Sequence, residues 1–541
     1  MKRLIGALAL STALSLAAQP VLAEAADNPL ADERVRQAIA YALDMDTIVD
    51  TLFEGKAIVA DSMIPNGAWK ADGLNDYAYD PDKARQLLEE AGWDEDYVLD
   101  VVYYYGDQLT VDLMTTVQAY LADVGMQMTY RKLEGDVIGE LTGVPDDPKS
   151  DTSKVSWDIA YGAKAALVLH EYYNVYLDGK SAYTPSEEDR NELLRRINGT
   201  ANLDEQKVAF QDFQRLENVD LSDIPLYYQQ IYIFESDRLD RNGGPYGNEQ
   251  FNYDWNIVNW TIEPDDEGRE ILYTNKGPIQ FFTQPWLNPG LTTGAKVLYD
   301  RLLTANASLV PTDGQLAEDV QVLDGGMKVM FKIRDDATWH DGTPLTGEDL
   351  SWSIHTALKV PSLNGVFANT FQSIEGANAY KDGGADSISG LAVDGNTVTL
   401  TFETLDPNVL VTFSQFPPLP KHKLDGVNPL EFQQHPFWQN PIGSGPYRVE
   451  EVQMNDFTRF VPYEDYYGGV ANIDEIVAFP SEDNDPNVVK NAAAGRLDYG
   501  FTKSVPDVQA LEGMDHMRVI PADIMYTRSL RVNAFPKKPA S

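Results

Sequence analysis

The sequence predicts a mixed α/β protein, and three observations carry the prediction. Segments of helical periodicity alternate with short apolar runs of strand period. The helical segments carry start and stop residues at their ends. Hydrophobic residues make up 43% and aromatic residues 11% of the 541 positions, enough for packed cores. At about 150 residues per domain, that length suggests three or four domains or lobes.

The elements follow in order. Residues 32–43 read as an amphipathic helix. Asp32 stands at its N-cap, and Val35, Ala38, Ile39, Ala42 and Leu43 recur at helical spacing. Residues 80–91 repeat the pattern. Asp80 caps, Pro81 takes the first helical position, and Gly92 ends the helix in a left-handed turn. Leu99 to Tyr105 is a strand and 110–124 a helix. Helices at 187–197 and 204–219 precede an apolar, aromatic strand at 224–234. A polar loop over 235–270 contains Gly243-Gly244-Pro245 and the acidic stretch EPDDEGRE at 263–270. Residues 327–334 (MKVMFKIR) alternate with period two. An Asp341-Gly342 turn follows, then Thr346 with Asp349 three residues later, a capping-box pattern. TVTLTF at 397–402 is a strand, and 526–534 is strand-like. No short-period repeat is present.

The first residues read as an export signal. Lys2 and Arg3 precede an apolar run from Leu4 to Ala18, and Val21-Leu22-Ala23 forms a small-residue cleavage pattern. The run is shorter than the ~20 residues of a spanning helix. Cleavage after Ala23 would release a soluble, exported chain, most simply into a bacterial periplasm.

Charge and cysteine usage narrow the function. Lys and Arg number 42 against 84 Asp and Glu, giving a net charge of −42. Such a surface repels phosphates and anionic head groups, so neither nucleic acid nor a membrane surface is an expected partner. The absence of cysteine excludes disulfides, thiolate metal sites, cysteine nucleophiles and lipid attachment through cysteine.

Catalytic motifs fail on inspection. His170-Glu171-Tyr172-Tyr173-Asn174 has Asn174 where a zinc-protease helix needs its second His. Gly443-Ser444-Gly445 is neither a nucleophile elbow nor a dinucleotide loop. Asp483 to Asn487 lacks the turn glycine of a calcium loop, and the six His are scattered singly. No metal, cofactor or catalytic residue is assigned.

Five segments carry a family resemblance. Trp339 to Ser353 (WHDGTPLTGEDLSWS), Asn440 to Tyr447 (NPIGSGPY), Ala31 to Asp44 (ADERVRQAIAYALD), Tyr79 to Trp93 (YDPDKARQLLEEAGW) and Ile224-Pro225-Leu226-Tyr227 resemble hallmarks of the family 5 extracellular solute-binding proteins. These are the peptide, nickel and oligosaccharide receptors of ABC importers. The resemblance implies a periplasmic-binding-protein type II-like α/β fold, with two large lobes, a smaller extra lobe and a hinge. The order of the segments departs from the family's. Residues 27–262 resemble its second half and 269–541 its first. The simplest reading is a circular permutation, and a natural one, an engineered one and an assembly artefact all give this order. Mapped through the resemblance, 27–234 with 521–541 forms the second large lobe, 235–300 with 438–520 the first, and 301–437 the extra lobe. Crossings near 521–530 and 225–235 form the hinge.

The resemblance further implies a non-enzymatic, monomeric receptor that delivers a solute to an inner-membrane ABC permease. An oligopeptide is the default solute and an oligosaccharide the alternative. An exported α/β hydrolase is the alternative of a different class. Nickel and haem are not expected without clustered His. In the family's oligopeptide receptors an Asp follows the segment matched by Trp157-Asp158-Ile159-Ala160. Here Ala166 or Leu167 holds that place, and Glu171 is the first acid after it. Candidate ligand contacts are Trp438, Trp286 (in a loop with Asn288), Tyr161, Asn440 and Glu171.

Overall fold

Local chemistry starts and stops the helices where the sequence marks them. In the computed structural model, the described residues are 28–149, 152–177, 179–247, 255–275, 285–287, 293–361, 363–453, 456–480 and 487–537. The export signal (1–23), Asn288, the 483–486 part of the rejected calcium-loop pattern and both chain ends lie outside them. Asp32 accepts the Arg34 N–H and opens the helix Glu33–Ala42. Asp80 accepts the Lys83 N–H and opens Pro81–Ala91, which Gly92 closes at φ +73°. Thr346 and Asp349 form the expected capping box on Gly347–Ala357. Of the described residues, no helix is long and apolar enough to cross a membrane.

The expected α/β class is observed. Its frame is an 11-stranded mixed sheet. Two long antiparallel strands, Asp223–Ser236 and Met517–Val532, run side by side through its middle. One wing of the sheet attaches to the Ser236 end. It contains Tyr499–Thr502, Ile271–Asn275, Glu475–Phe479, Phe457–Pro462 and Tyr447–Gln453. The other wing attaches to the Asp223 end. It contains Ile159–Ala165, Val98–Tyr103 and Gln127–Lys132, with Ala57–Val59 on the far side of Asp223–Ser236.

The two long strands change neighbours between the wings. Residues 517–523 pair only with Asp223–Ser236, whereas 527–531 pair on both sides. Pro521 therefore lies in an edge section, where its missing N–H breaks no second ladder. At the crossover Gln230 pairs with Asp523 and Tyr228 with Thr527, so three residues stand opposite Gln229. Such a bulge bends a strand and marks where the wings turn relative to each other.

Packing follows the wings. One core holds the helices Glu33–Ala42, Met45–Leu52, Pro81–Ala91 and Gln108–Asp123 against the 57–165 wing, with Leu530 and Val532. A second, around Trp157, Phe210 and Phe213, covers its opposite face. The largest core runs from the 271–502 wing into a four-stranded antiparallel sheet of Ala317–Leu323, Lys328–Ile333, Thr397–Thr401 and Leu391–Asp394.

Two of the family-like segments meet in space. His340 accepts the Gly443 N–H on Nδ1 at 3.1 Å, so its proton sits on Nε2, which donates to the Gly445 carbonyl at 2.9 Å. Its backbone N–H also reaches the Gly443 carbonyl at 3.0 Å. The glycines are needed for close approach. A Cβ on Gly443 would lie 1.8 Å from the Leu298 carbonyl oxygen, and one on Gly445 2.4 Å from that of Val297.

The segments nearest the two ends of the described chain also meet. Asn28 Nδ2 donates to the carbonyls of Asn533 and Phe535 at 2.6 and 2.9 Å. Lys537 pairs with the buried Asp158, and the Pro536 carbonyl accepts the Ser153 N–H at 2.9 Å.

Candidate functional site

A cavity of about 500 Å³ opens between the wings, beside the bulge of the long strands. That volume suits a small organic ligand or short peptide. Gln229, Gln230, Tyr526 and Arg528 of the long strands form its floor. The 57–165 wing contributes Tyr105, Asp107 and Tyr161, Phe53 follows the helix Met45–Leu52 packed on that wing, and Tyr227 comes from the long strand Asp223–Ser236. The 271–502 wing contributes Asn275, Phe501, Thr502 and Lys503, then the start of the helix Val505–Glu512. Strand alternation aims Tyr526 and Arg528 at the cavity, while Met525 and Thr527 face the opposite side.

The wall carries four tyrosines and two phenylalanines beside amide, hydroxyl and charged groups. The Tyr161 and Tyr227 hydroxyls lie 2.9 Å apart, as do those of Tyr104 and Tyr105 at 2.7 Å. Phe53 packs on Tyr227 with ring centroids 4.4 Å apart. Burial pushes the Tyr227 phenol up to about 12 and holds Tyr161 and Tyr105 far above the ordinary range. At neutral pH these three are uncharged donors and acceptors. Asp107 is spent on its helix, accepting from the Thr110 N–H and hydroxyl at 2.9 to 3.1 Å. Lys56 and Glu512 form a 2.5 Å ion pair that spans the wings at the cavity rim. Arg528 reaches Gln229 Oε1 from Nε and Nη2 at 3.3 and 3.1 Å, and lies over the Tyr105 ring. The arrangement can bind by stacking and hydrogen bonding. Among the described residues no group of three or more His, Asp or Glu could hold a metal ion.

The structure distributes the five candidate residues unevenly. Tyr161 lines the cavity. Trp286 and Trp438 do not; both lie in the packed core. Trp286 is 2% exposed, sandwiched between Phe416 and Phe432, with its indole N–H on the Pro417 carbonyl. Trp438 is 4% exposed and donates to the Phe432 carbonyl at 2.6 Å. Both belong to the largest core, where burial of their large apolar surface outweighs any use as a ligand platform. Asn440 is exposed at the end of the short turn Pro436–Gln439, away from the cavity lining. Glu171 is also off the lining. Its carboxylate braces its own turn by accepting the Leu167 and Val168 N–H groups at 2.7 and 3.4 Å. Ala166 is buried against the Met525 carbonyl. Arg528, Tyr526, Tyr105 and Lys503 escaped the sequence reading. The period-two pattern around Ser529 and the tyrosine run 103–105 were the available signals.

Two wings are thus joined by two long strands, with a cavity between them, in an α/β architecture. Residues 7–192 and 312–539 match the family described as bacterial extracellular solute-binding proteins, family 5 Middle. The chain belongs to that family. It is similar to the dipeptide-binding protein of Escherichia coli, 40% identical over 75 residues, covering 14% of each chain. It is also similar to the oligopeptide-binding protein AppA of Bacillus subtilis, 23% identical over 260 residues, covering 47% of this chain and 44% of AppA. A third relative is heme-binding protein A of Haemophilus influenzae, 38% identical over 73 residues and 13% of each chain. The matches thus span from 13% to 44% of these curated relatives. Among solved structures, AppA of Bacillus subtilis in complex with a nonapeptide aligns at 22% identity over 38% of each chain, with a TM-score of 0.33. NikZ of Campylobacter jejuni with Ni(L-His) aligns at 20% identity over 42% of this chain and 41% of its own, with a TM-score of 0.34.

Proposed function

We propose that this chain is a periplasmic receptor of an ABC importer that captures a peptide between its wings and hands it to a membrane permease without altering it. The carrying observation is the cavity at the bulge, lined from both wings and from the two strands that join them. Closure about that bulge would change the cavity directly. The Lys56–Glu512 pair is solvated, so it stabilises closure by about 1 kcal/mol at most and leaves the ligand to drive it. Family membership and the names of the dipeptide- and oligopeptide-binding relatives support a peptide solute. The described lining contains tyrosines and amides but no tryptophan, and the two tryptophans suited to sugar stacking are core residues. Tyr161 is the sequence candidate retained as a ligand contact. Export by the segment 1–23 belongs to the same reading.

The exchanged order of the family-like halves is part of the proposal. The closeness of Asn28 to Asn533 and Phe535 supports it, because those segments would be neighbours along an unpermuted chain.

Calorimetry and thermal-shift screens of the purified protein against di- to pentapeptides and oligosaccharides test the function. Saturable binding of peptides without product is expected. Turnover, or saturable binding of oligosaccharides alone, would overturn it. N-acetylated peptides are expected to bind within a few fold of free ones, since Glu171 and the Ala166–Leu167 position supply no ammonium anchor at the cavity.

A further inference from the structure

We infer that the cleft takes its ligand by a carboxylate, held by the guanidinium of Arg528; for a peptide this is the free C-terminus. The inference rests on the reading of the cleft as the solute site. Arg528 lies one residue beyond the bulge section, paired with Ala163 on one side and Tyr227 on the other. Its side chain rises into the cavity over Tyr105, 4.1 Å from the ring centroid, and beside Tyr526 at 5.1 Å. Nε and Nη2 are occupied by Gln229 Oε1. Nη1 is buried and has no hydrogen-bond partner. An unpaired donor on a charged group is costly to bury, so such groups are normally satisfied.

Four other enclosed arginines show what is missing. Arg36, Arg190, Arg238 and Arg241 each have a carboxylate within 3.0 Å. Arg528 has none, in a chain where acids outnumber bases 84 to 42. Arg301 and Arg531 also lack an ion pair, but they donate to the Tyr299 and Ala163 carbonyls and lie off the cavity lining, whereas Arg528 is on it. The cavity's own acids are engaged elsewhere. Asp107 caps its helix, and Asp507 accepts the Thr502 hydroxyl at 3.4 Å. The surrounding phenols of Tyr105, Tyr161 and Tyr227 are neutral and supply no counter-charge. The anion that completes Arg528 must therefore come with the ligand. A planar guanidinium with aromatic support matches a carboxylate in shape and charge. Lys503 lies on the same cavity wall and adds to the positive field.

The test takes the tightest member of a di- to pentapeptide panel and its C-terminal amide, measured by calorimetry on the wild-type chain and on Arg528→Met and Arg528→Lys. The free acid is expected to bind wild type at least tenfold more tightly than the amide. Arg528→Met is expected to abolish that preference and Arg528→Lys to retain part of it. Equal binding of acid and amide by wild type would overturn the carboxylate and leave the peptide receptor standing; this arm does not depend on any variant folding. A preference that survives in Arg528→Met would overturn the role of Arg528. If no peptide binds, the peptide reading falls. Succinate and citrate then decide the inference alone: binding lost in Arg528→Met supports it, and no binding overturns it.

Discussion

Gly342 and Gly443 are both glycines of family-like segments, yet they are glycines for different reasons. Gly342 has φ +80° and open space where a Cβ would stand. Gly443 has an ordinary φ and no space at all. Gly342→Ala is expected to cost about 1 kcal/mol, the strain of a left-handed residue. Gly443→Ala must move the Leu298 backbone and is expected to cost about 3 kcal/mol or more. Urea unfolding of the two variants checks the ranking, and similar costs would refute it. The sequence shows a glycine in each family-like segment and marks the turn at Gly342, because a turn is local. It could not separate them, because the clash at Gly443 comes from a carbonyl 145 positions away in the chain. The same holds for Trp286 and Trp438. A tryptophan reads alike whether it faces a ligand or Phe432.

At the scale of elements, His340 joins the turn at 339–343 to the strand-entry segment 440–447. Burial holds its imidazole down at about 4, well under its ordinary value, with the Gly445 carbonyl opposing the shift. Neutral His340 is the form the fold requires, since Nδ1 must accept from Gly443. A depressed pKa on a base means that the unfolded chain takes up the proton first. Stability from this group is whole above about 6.5 and is lost as pH falls toward about 4. His170, buried against Phe210 and also held near 4, acts in the same direction. Denaturant titrations at pH 7, 5.5 and 4.5 are expected to show this loss, and His340→Gln is expected to flatten the slope whatever its effect at pH 7. An unchanged slope would show that the His340 contacts do not carry it. The long strand Met517–Val532 was half legible. Its last residues alternate plainly, but Pro521, Arg518 and Asp523 disguise the first half. They are tolerated because that section has a neighbour on one side only.

For the whole molecule, the two long strands carry the union of the wings. The turn 264–270 lies outside both strands and is mostly exposed. A single proteolytic cut there is expected to leave both products in one particle, seen as one peak by size exclusion and two bands on a denaturing gel. Separation of the products would contradict the strand pairing. A chain opened within 264–270, with Lys537 linked back to Asn28, is expected to fold and to bind the same solute. Failure to fold would argue against the exchanged order.

Caps, periodicity and turn residues act over a few positions, so the helices, most strands, the α/β class and the family-like segments were readable in the chain. The charge and the missing cysteines narrowed the function for the same reason, being properties of composition. The cleft was not readable. Its wall joins Phe53, Tyr105, Tyr227, Phe501 and Arg528, residues up to 475 positions apart, and strand pairing alone brings them together. Folding also decided which aromatic rings were buried and which arginine lines the cleft without an acid beside it. Both depend on what packs against a side chain from a distant part of the chain.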